Sequence, residues 1–355
     1  MAPLYPWTYL YYQLAPLPSS FTSPNCLSGK TVIVTGANTG LGLEAARHFA
    51  RLGPAKLILA CRDRQKGDQA AWDIADDTGC PNVQSWEVDL ASFDSVRLFA
   101  ERFEKEGGGR LHLLVANAGV SLPWYEKTED GWERMLRVNY IGTAHLTLRL
   151  LPFLLAASPS SAQQNGILTD VSGPRLVTVT SEMHYWAYDR AALTVVRVMD
   201  TLNEERRCRQ WGTMLLRYGA TKMMNILFTQ ALSNRLSQLS RPTQLTATTV
   251  NPGFCHSQLT RHLPLSLPIA LLKMLIARPT SIGARTLVHA ALAPELEGVR
   301  GVYLSDCMVK EAGDFAVSKA GKRAAQHIWG ETLDVLFEAD PGLKVVLRVC
   351  GIEAE

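Results

Sequence analysis

The chain has 355 residues, 47% hydrophobic and 19% charged, the balance of a folded globular protein with a substantial core. A net charge of +3 is too small to mark a nucleic-acid binder, and the basic run Arg206, Arg207 and Arg209 follows Glu204 and Glu205, as a solvated helix face would. Seven cysteines, odd in number, scattered and never in C-x-x-C, indicate neither a disulfide framework nor a zinc site and fit a reducing, cytoplasmic setting.

Residues 1–27 form an aromatic, proline-rich extension without a charged side chain. Prolines 3, 6, 16 and 18 are expected to interrupt any helix, and the apolar run between Pro6 and Pro16 is too short to span a bilayer. The basic start of a signal peptide is missing. The extension is expected to pack on the body of the protein, with peripheral contact to a membrane surface as the alternative.

The stretch Thr31 to Gly42 organises the rest of the chain. A β-branched run, Thr31 to Thr35, stops at Gly36 and restarts as a helix with Leu43, Ala46, Phe49 and Ala50 on its apolar side. Glycines at 36, 40 and 42 let the backbone approach a ligand, and the unpaired N–H groups opening the helix suit a pyrophosphate. The spacing, G-x-x-x-G-x-G, differs from the G-x-G-x-x-G fingerprint. A plain strand-to-helix turn would use the same glycines, so the motif takes its meaning from the other segments.

Strands and helices then alternate. Lys56 to Ala60, Val83 to Val88, Leu111 to Ala116, Arg175 to Thr180, Leu245 to Val250 and Val302 to Leu304 read as strands. Helices are predicted at 64–77, 92–105, 131–156, 216–239 and 281–292, and a polar surface loop at 158–174. The pattern predicts a Rossmann-type doubly wound parallel sheet of about seven strands with helices on both faces. No repeat or linker divides it, so one domain is expected at 28–340, followed by a tail at 341–355. The apolar segment 263–277, broken by Pro264, Pro268 and Lys273, reads as a lid or wall over a lipophilic pocket rather than a transmembrane span.

Ligands of such sheets sit beyond the carboxyl ends of the strands. Those ends carry Gly36, Cys61-Arg62, Asp89, Asn117-Ala118-Gly119, Ser181 and Pro252-Gly253, all within reach of one ligand. Tyr218 and Lys222, four apart on a predicted helix, share a face.

With these residues in view the chain resembles a short-chain dehydrogenase/reductase of the classical type over roughly residues 28 to 340. The resemblance rests on TGANTGLG at 35–42, Asp89-Leu90, NAG at 117–119, Asn139 in VNYIG, Ser181, Tyr218 through Lys222 and Asn251-Pro252-Gly253. LACRD at 59–63, the wide gap between Ser181 and Tyr218, and GVYLSDC at 301–307 are similar to the retinol-dehydrogenase-like branch and to fungal reductases of natural-product pathways. The aromatic N-terminus is no part of the family pattern.

The resemblance implies an oxidoreductase interconverting a hydroxyl and a carbonyl group. Tyr218 exchanges a proton with the substrate oxygen, its phenolate favoured by the neighbouring ammonium of Lys222 and by a positively charged nicotinamide. Lys222 also bonds the nicotinamide ribose, Ser181 holds the substrate oxygen, and Asn139 positions a water behind Lys222. Gly36, Asn38, Thr39, Gly40, Leu41, Gly42, Leu90, Ala118, Gly119, Pro252 and Gly253 are expected along the cofactor, with Asp89 on the adenine amine, the Asn117 backbone on the adenosine side and Ser257 on the carboxamide. Cys61-Arg62 stand where an acidic residue would select a free ribose 2′-OH, which favours NADP(H); pairing of Arg62 with Asp63 is the alternative. His145, His184 and His256 lie near these motifs and are assigned no catalytic role; His184 either lines the substrate side or packs. No metal is expected.

The expected substrate is small and lipophilic, such as a terpenoid, steroid or retinoid, because of segment 263–277 and the aromatic Tyr185, Trp186 and Tyr188. A tailoring step in fungal secondary metabolism is implied by resemblance only. The rival reading is a catalytically inactive NADP-binding redox sensor or scaffold. A homodimer would use the helices carrying Asn139 and Tyr218.

Overall fold

Thr31–Thr35 is buried along its whole length and forms β1, an interior strand of the sheet. The computed structural model describes residues 6–18, 25–158, 173–186, 189–210, 212–261 and 274–352. The sheet continues with β2 (Lys56–Cys61), β3 (Val83–Glu87), β4 (Leu113–Ala116), β5 (Arg175–Val179), β6 (Thr246–Asn251), β7 (Arg300–Ser305) and β8 (Met308–Lys310), in the order β3-β2-β1-β4-β5-β6-β7-β8. The first seven are parallel and β8 pairs antiparallel with β7. The sheet thus has eight strands where about seven were expected. The added hairpin turns through Asp306 and Cys307, both with positive φ (55° and 58°). That is primed-turn geometry without the Asp-Gly pair that announces it in sequence.

Side chains of β1 alternate between two cores: Val32 and Val34 point to one, Ile33 to the other. Helices α2 (Gly40–Ala50), α3 (Arg64–Thr78) and, late in the chain, Thr280–Leu292 cover the first face. α4 (Phe93–Glu106) opens the second face, and α5 comes next as a turn Arg134–Leu136, a π-helical segment Arg137–Ile141 and an α-helix Gly142–Ala156. The expected uninterrupted helix at 131–156 therefore starts later and carries a π turn, which places Asn139 inside the distorted segment. α6 (Thr213–Ser237), α7 (the Thr280–Leu292 helix), α8 (Lys319–Ala339) and α9 (Leu343–Val349) follow, with shorter helical turns between them.

The N-terminal extension contains α1 (Pro6–Leu14), although its prolines are expected from sequence to forbid a helix. Pro6 occupies the first helical position, where its missing N–H costs nothing, and Pro16 and Pro18 lie beyond the end. Residues 341–352, which read as tail in the sequence, form α9 and bury Leu343, Leu347, Cys350 and Ile352 in the second core. α8 packs along α6 and α9 packs against α5, so the helices expected as dimer faces are covered within the chain. Among the described residues no helix is long and apolar enough to cross a membrane. Of the 263–277 segment, 263–273 and with them most of the expected lid lie outside the described residues, as does Tyr188.

Asp340 joins the C-terminal helices to α5. Its carboxylate accepts from His145 Nε2 at 2.7 Å and Arg149 Nε at 2.6 Å, with a further bond from the Arg149 guanidinium. Burial alone would raise its pKa, but those hydrogen bonds outweigh burial and hold it at about 2. A depressed carboxylate stabilises the fold above its unfolded pKa near 4, and that contribution disappears as pH falls from about 4 to about 2. Asp340→Asn is expected to lower stability at pH 7 by about 3 kcal/mol in urea unfolding, since it leaves Arg149 unpaired. It should also flatten the acid limb of stability against pH.

Candidate active site

The glycine loop is shaped by backbone contacts on one side and open on the other. Gly36 and Gly40 take positive φ (65° and 61°), conformations that side chains disfavour. A Cβ on Gly42 would lie 2.5 Å from both the Gly36 carbonyl oxygen and Asn117 Nδ2. The Asn117 amide donates to the Thr35 carbonyl (2.8 Å) and to the Gly36 carbonyl (3.3 Å), while Thr35 Oγ1 accepts from the backbone N–H groups of Asn117 and Ala118, each at 2.9 Å. β4 is thereby laced to the end of β1. Asn117, read in sequence only for its backbone, acts here through its side chain. Thr39 precedes α2 without a side-chain cap, so the first N–H groups of that helix stay available at its positive end. A cradle that no Cβ may enter and an uncapped helix start fit the pyrophosphate of a dinucleotide.

Beyond the carboxyl ends of the strands lies a cavity of about 1180 Å³. Gly36, Asn38, Thr39, Gly40, Leu41, Arg62, Asp89, Leu90, Asn117, Ala118, Gly119, Ser181, Tyr218, Lys222, Pro252, Gly253 and Ser257 all line it. Two residues expected at the site do not: Gly42 sits behind the loop, and Asn139 is fully buried in α5. Arg62 is exposed at the cavity edge with no ion pair among the described residues, because Asp63 is turned to Lys66. Asp63 caps α3 through the Lys66 N–H (3.1 Å) and binds the Lys66 ammonium at 2.8 Å. The carboxylate of Asp89 accepts from the Ala91 N–H at 2.8 Å. The opposite end of the cavity is apolar, walled by Val120, Leu122, Met183, Met214, Leu215, Leu216, Phe254 and Leu259.

Ser181, Tyr218 and Lys222 meet between these ends. Burial pushes the Tyr218 phenol well above its usual pKa, and the nearby Ser181 hydroxyl offsets this only in part. The expected drop in the Tyr218 pKa is therefore not a property of the protein by itself. Lys222 Nζ stands 5.6 Å from the Tyr218 ring centroid and donates to the Val179 carbonyl at 2.9 Å. Burial draws the Lys222 ammonium down to about 8. An ammonium has three donors, so donors remain for a ligand.

Asn139 does not face the cavity with its amide. Its Oδ1 accepts from the Val120 N–H at 2.8 Å, and its Nδ2 donates to the Val120 carbonyl at 2.9 Å and to Thr221 Oγ1 at 3.2 Å. It fixes the loop after β4 to the catalytic helix α6. His184 is a packing residue: its Nδ1 lies 2.6 Å from the Ser181 carbonyl and its Nε2 accepts from the Gly313 N–H at 3.0 Å. Sequence reasoning also missed the buried Arg217, one residue before Tyr218, whose Nε lies 3.7 Å from the equally buried Glu133. Charged residues in an apolar helix read as surface until a partner far along the chain is known.

A glycine cradle, a Ser-Tyr-Lys cluster and an apolar recess on a doubly wound sheet define a nicotinamide-dinucleotide oxidoreductase acting on an alcohol or carbonyl. A family model described as short chain dehydrogenase matches residues 30–199. The chain is 34% identical over 320 residues to the short chain dehydrogenase/reductase dmxR8 of Cryptosporiopsis sp. (strain 8999), covering 89% of this chain and 93% of that one. It is 36% identical over 313 residues to retinol dehydrogenase 12 of Mus musculus, covering 87% of each. A solved structure of an uncharacterized protein from Mycobacterium paratuberculosis is similar with a TM-score of 0.63 and 28% identity, over 89% of this chain and 96% of that one. The chain belongs to the short-chain dehydrogenase/reductase family, in its retinol-dehydrogenase-like branch, and is an NAD(P)-using oxidoreductase acting on CH–OH donors.

Proposed function

We propose that the protein is an NADP(H)-dependent oxidoreductase that interconverts a hydroxyl and a carbonyl group on a lipophilic substrate of terpenoid, steroid or retinoid-like character. Arg62 carries the cofactor reading: an exposed guanidinium at the cavity edge, with Asp63 held by Lys66, leaves positive charge for a 2′-phosphate. The apolar recess of Leu122, Met183, Met214 and Phe254 carries the substrate reading. We extend the reading to a tailoring step in fungal secondary metabolism, in keeping with the fungal source of relatives such as the short chain dehydrogenase resG of Aspergillus sclerotiorum, 36% identical. We place the enzyme in the cytoplasm, in contact with a membrane at most peripherally. With α5 and α6 covered within the chain, a homodimer would need another face.

The bound dinucleotide supplies or accepts the hydride. Ser181 holds the substrate oxygen, and Tyr218, kept protonated by burial, gives that oxygen its proton in the reductive direction. The resulting phenolate is stabilised by the Lys222 ammonium, which stays largely charged at neutral pH with a pKa of about 8. Asn139 is a positioning residue, holding Val120 and thereby one wall of the recess.

The test is kcat/KM with NADPH and NADH on a panel of lipophilic ketones and aldehydes. Wild type should prefer NADPH, and Arg62→Ala should lose about tenfold or more with NADPH while NADH is unaffected, the worth of hydrogen bonds between charged groups. Equal losses with both cofactors would sink the assignment of Arg62.

A further inference from the structure

The extension that lies outside the family pattern is bound to the active-site loops by a built set of hydrogen bonds. Gln13, at 3% exposure, spends its whole side-chain amide there. Its Oε1 accepts from the Phe254 N–H at 3.0 Å, and its Nε2 donates to the Phe254 and Ile276 carbonyls, both at 2.8 Å. It pairs both backbone groups of Phe254 as a neighbouring strand would, in the loop that comes after Pro252-Gly253 and lines the cavity. Backbone bonds from Arg278 N–H to the Phe254 carbonyl and from His256 N–H to the Arg278 carbonyl join the same two limbs. The buried Arg278 guanidinium closes the clamp from the other side. It donates to the Gln13 carbonyl at 3.0 Å, to the Tyr12 carbonyl, and to Asp306 at 2.8 Å, and so neutralises the carbonyl end of α1. Gly253 leaves room for both: a Cβ there would lie 2.8 Å from Arg278 Nη1 and 2.9 Å from Gln13 Oε1.

A second bond reaches the catalytic loop. Tyr9 donates its hydroxyl to Glu182 Oε1 at 3.3 Å, and Glu182 Oε2 accepts from Asn251 Nδ2 at 3.0 Å. Glu182 directly follows Ser181, and Asn251 directly precedes Pro252. One short helix thus touches both loops that bound the reacting end of the cavity, and neither bond approaches the Arg62 end.

We propose that α1 is a positioning element of the active site, setting through Gln13 and Tyr9 the spacing between the Ser181 loop and the Pro252–Phe254 loop. The proposal rests on the dinucleotide reading of the cavity. It differs from a purely structural role in being local: the nicotinamide and substrate end depends on α1, and the adenosine end does not.

Gln13→Met keeps the length and apolar stem of the side chain and removes all three hydrogen bonds. It should lower kcat/KM for NADPH with a carbonyl substrate by about tenfold, speed amide hydrogen exchange at 252–257, and leave the affinity for ADP within about twofold of wild type. Gln13→Glu, which turns a carboxylate oxygen toward two carbonyls, should be at least as impaired. Tyr9→Phe leaves the Gln13 clamp intact and should lower kcat/KM by about threefold, again at constant ADP affinity; it carries the test if the Gln13 variants do not fold. Wild-type kcat/KM in Gln13→Met, unchanged exchange at 252–257, or a parallel loss of ADP affinity would each overturn the proposal. Absence of wild-type turnover with every carbonyl tried would instead count against the substrate reading, and the exchange and ADP measurements would still decide the role of α1.

Discussion

Tyr218→Phe should lower kcat/KM by about three orders of magnitude while leaving ADP affinity unchanged, the loss expected when a positioned acid is removed. The half-buried Tyr218 lines the cavity beside Ser181, and desolvation raises its pKa, which keeps it protonated at working pH. Ser181 would still hold the substrate oxygen, but an alkoxide without the positioned proton donor raises the barrier for hydride arrival. Phenylalanine fills nearly the same volume, so neither the recess nor α6 should collapse. Lys222 cannot substitute: its Nζ is tied to the Val179 carbonyl and lies 5.6 Å from the ring centroid. A loss below about tenfold would mean that Tyr218 only walls the cavity, since proton donation alone is worth about a hundredfold or more.

The repeating strands and helices, and most residues around the cavity, were legible because each is set by local chemistry. Gly36 must adopt positive φ, β1 must be buried on both faces, and Tyr218 and Lys222 share a helix face wherever that helix lies. What escaped depends on partners distant in the chain. Gln13 reads as one polar residue in an aromatic stretch until Phe254, 241 positions away, presents its backbone. The π turn at Arg137–Ile141 has no periodic signature, because the apolar pattern on either side continues as an ordinary helix would. Asn139 is expected from sequence to work through a water behind Lys222; its amide serves Val120 and Thr221, a division of hydrogen bonds that only the packed arrangement of α5 and α6 fixes. The balance at Tyr218 is likewise set by the fold: proximity to Lys222 is visible in sequence, whereas the burial that raises the Tyr218 pKa in the protein by itself is not.

Gly42→Ala should weaken dinucleotide binding by about a hundredfold, although Gly42 does not line the cavity. In an unconstrained helix the change would favour folding, since alanine is the better helix former by about 1 kcal/mol. Here the new methyl would lie 2.5 Å from the Gly36 carbonyl oxygen and 2.5 Å from Asn117 Nδ2. One obstacle is backbone, and the other is a side chain held to the Thr35 and Gly36 carbonyls, so neither can yield without moving the turn that faces the pyrophosphate. Overpacking of this kind costs about 1–3 kcal/mol, enough to cancel the gain in propensity and to shift Gly36 and Gly40 out of register with the helix start. Asn117→Ala in the same chain removes only one of the two collisions and unlaces β4 from β1, so it should not restore binding. Gly40→Ala is the control for strain without collision: φ is positive, the nearest atom to its Cβ is 3.8 Å away, and the loss should be smaller. Calorimetric titration of the three variants with NADPH decides between these, and wild-type affinity in Gly42→Ala would show that the loop reshapes itself around the ligand instead of presenting a preformed cradle.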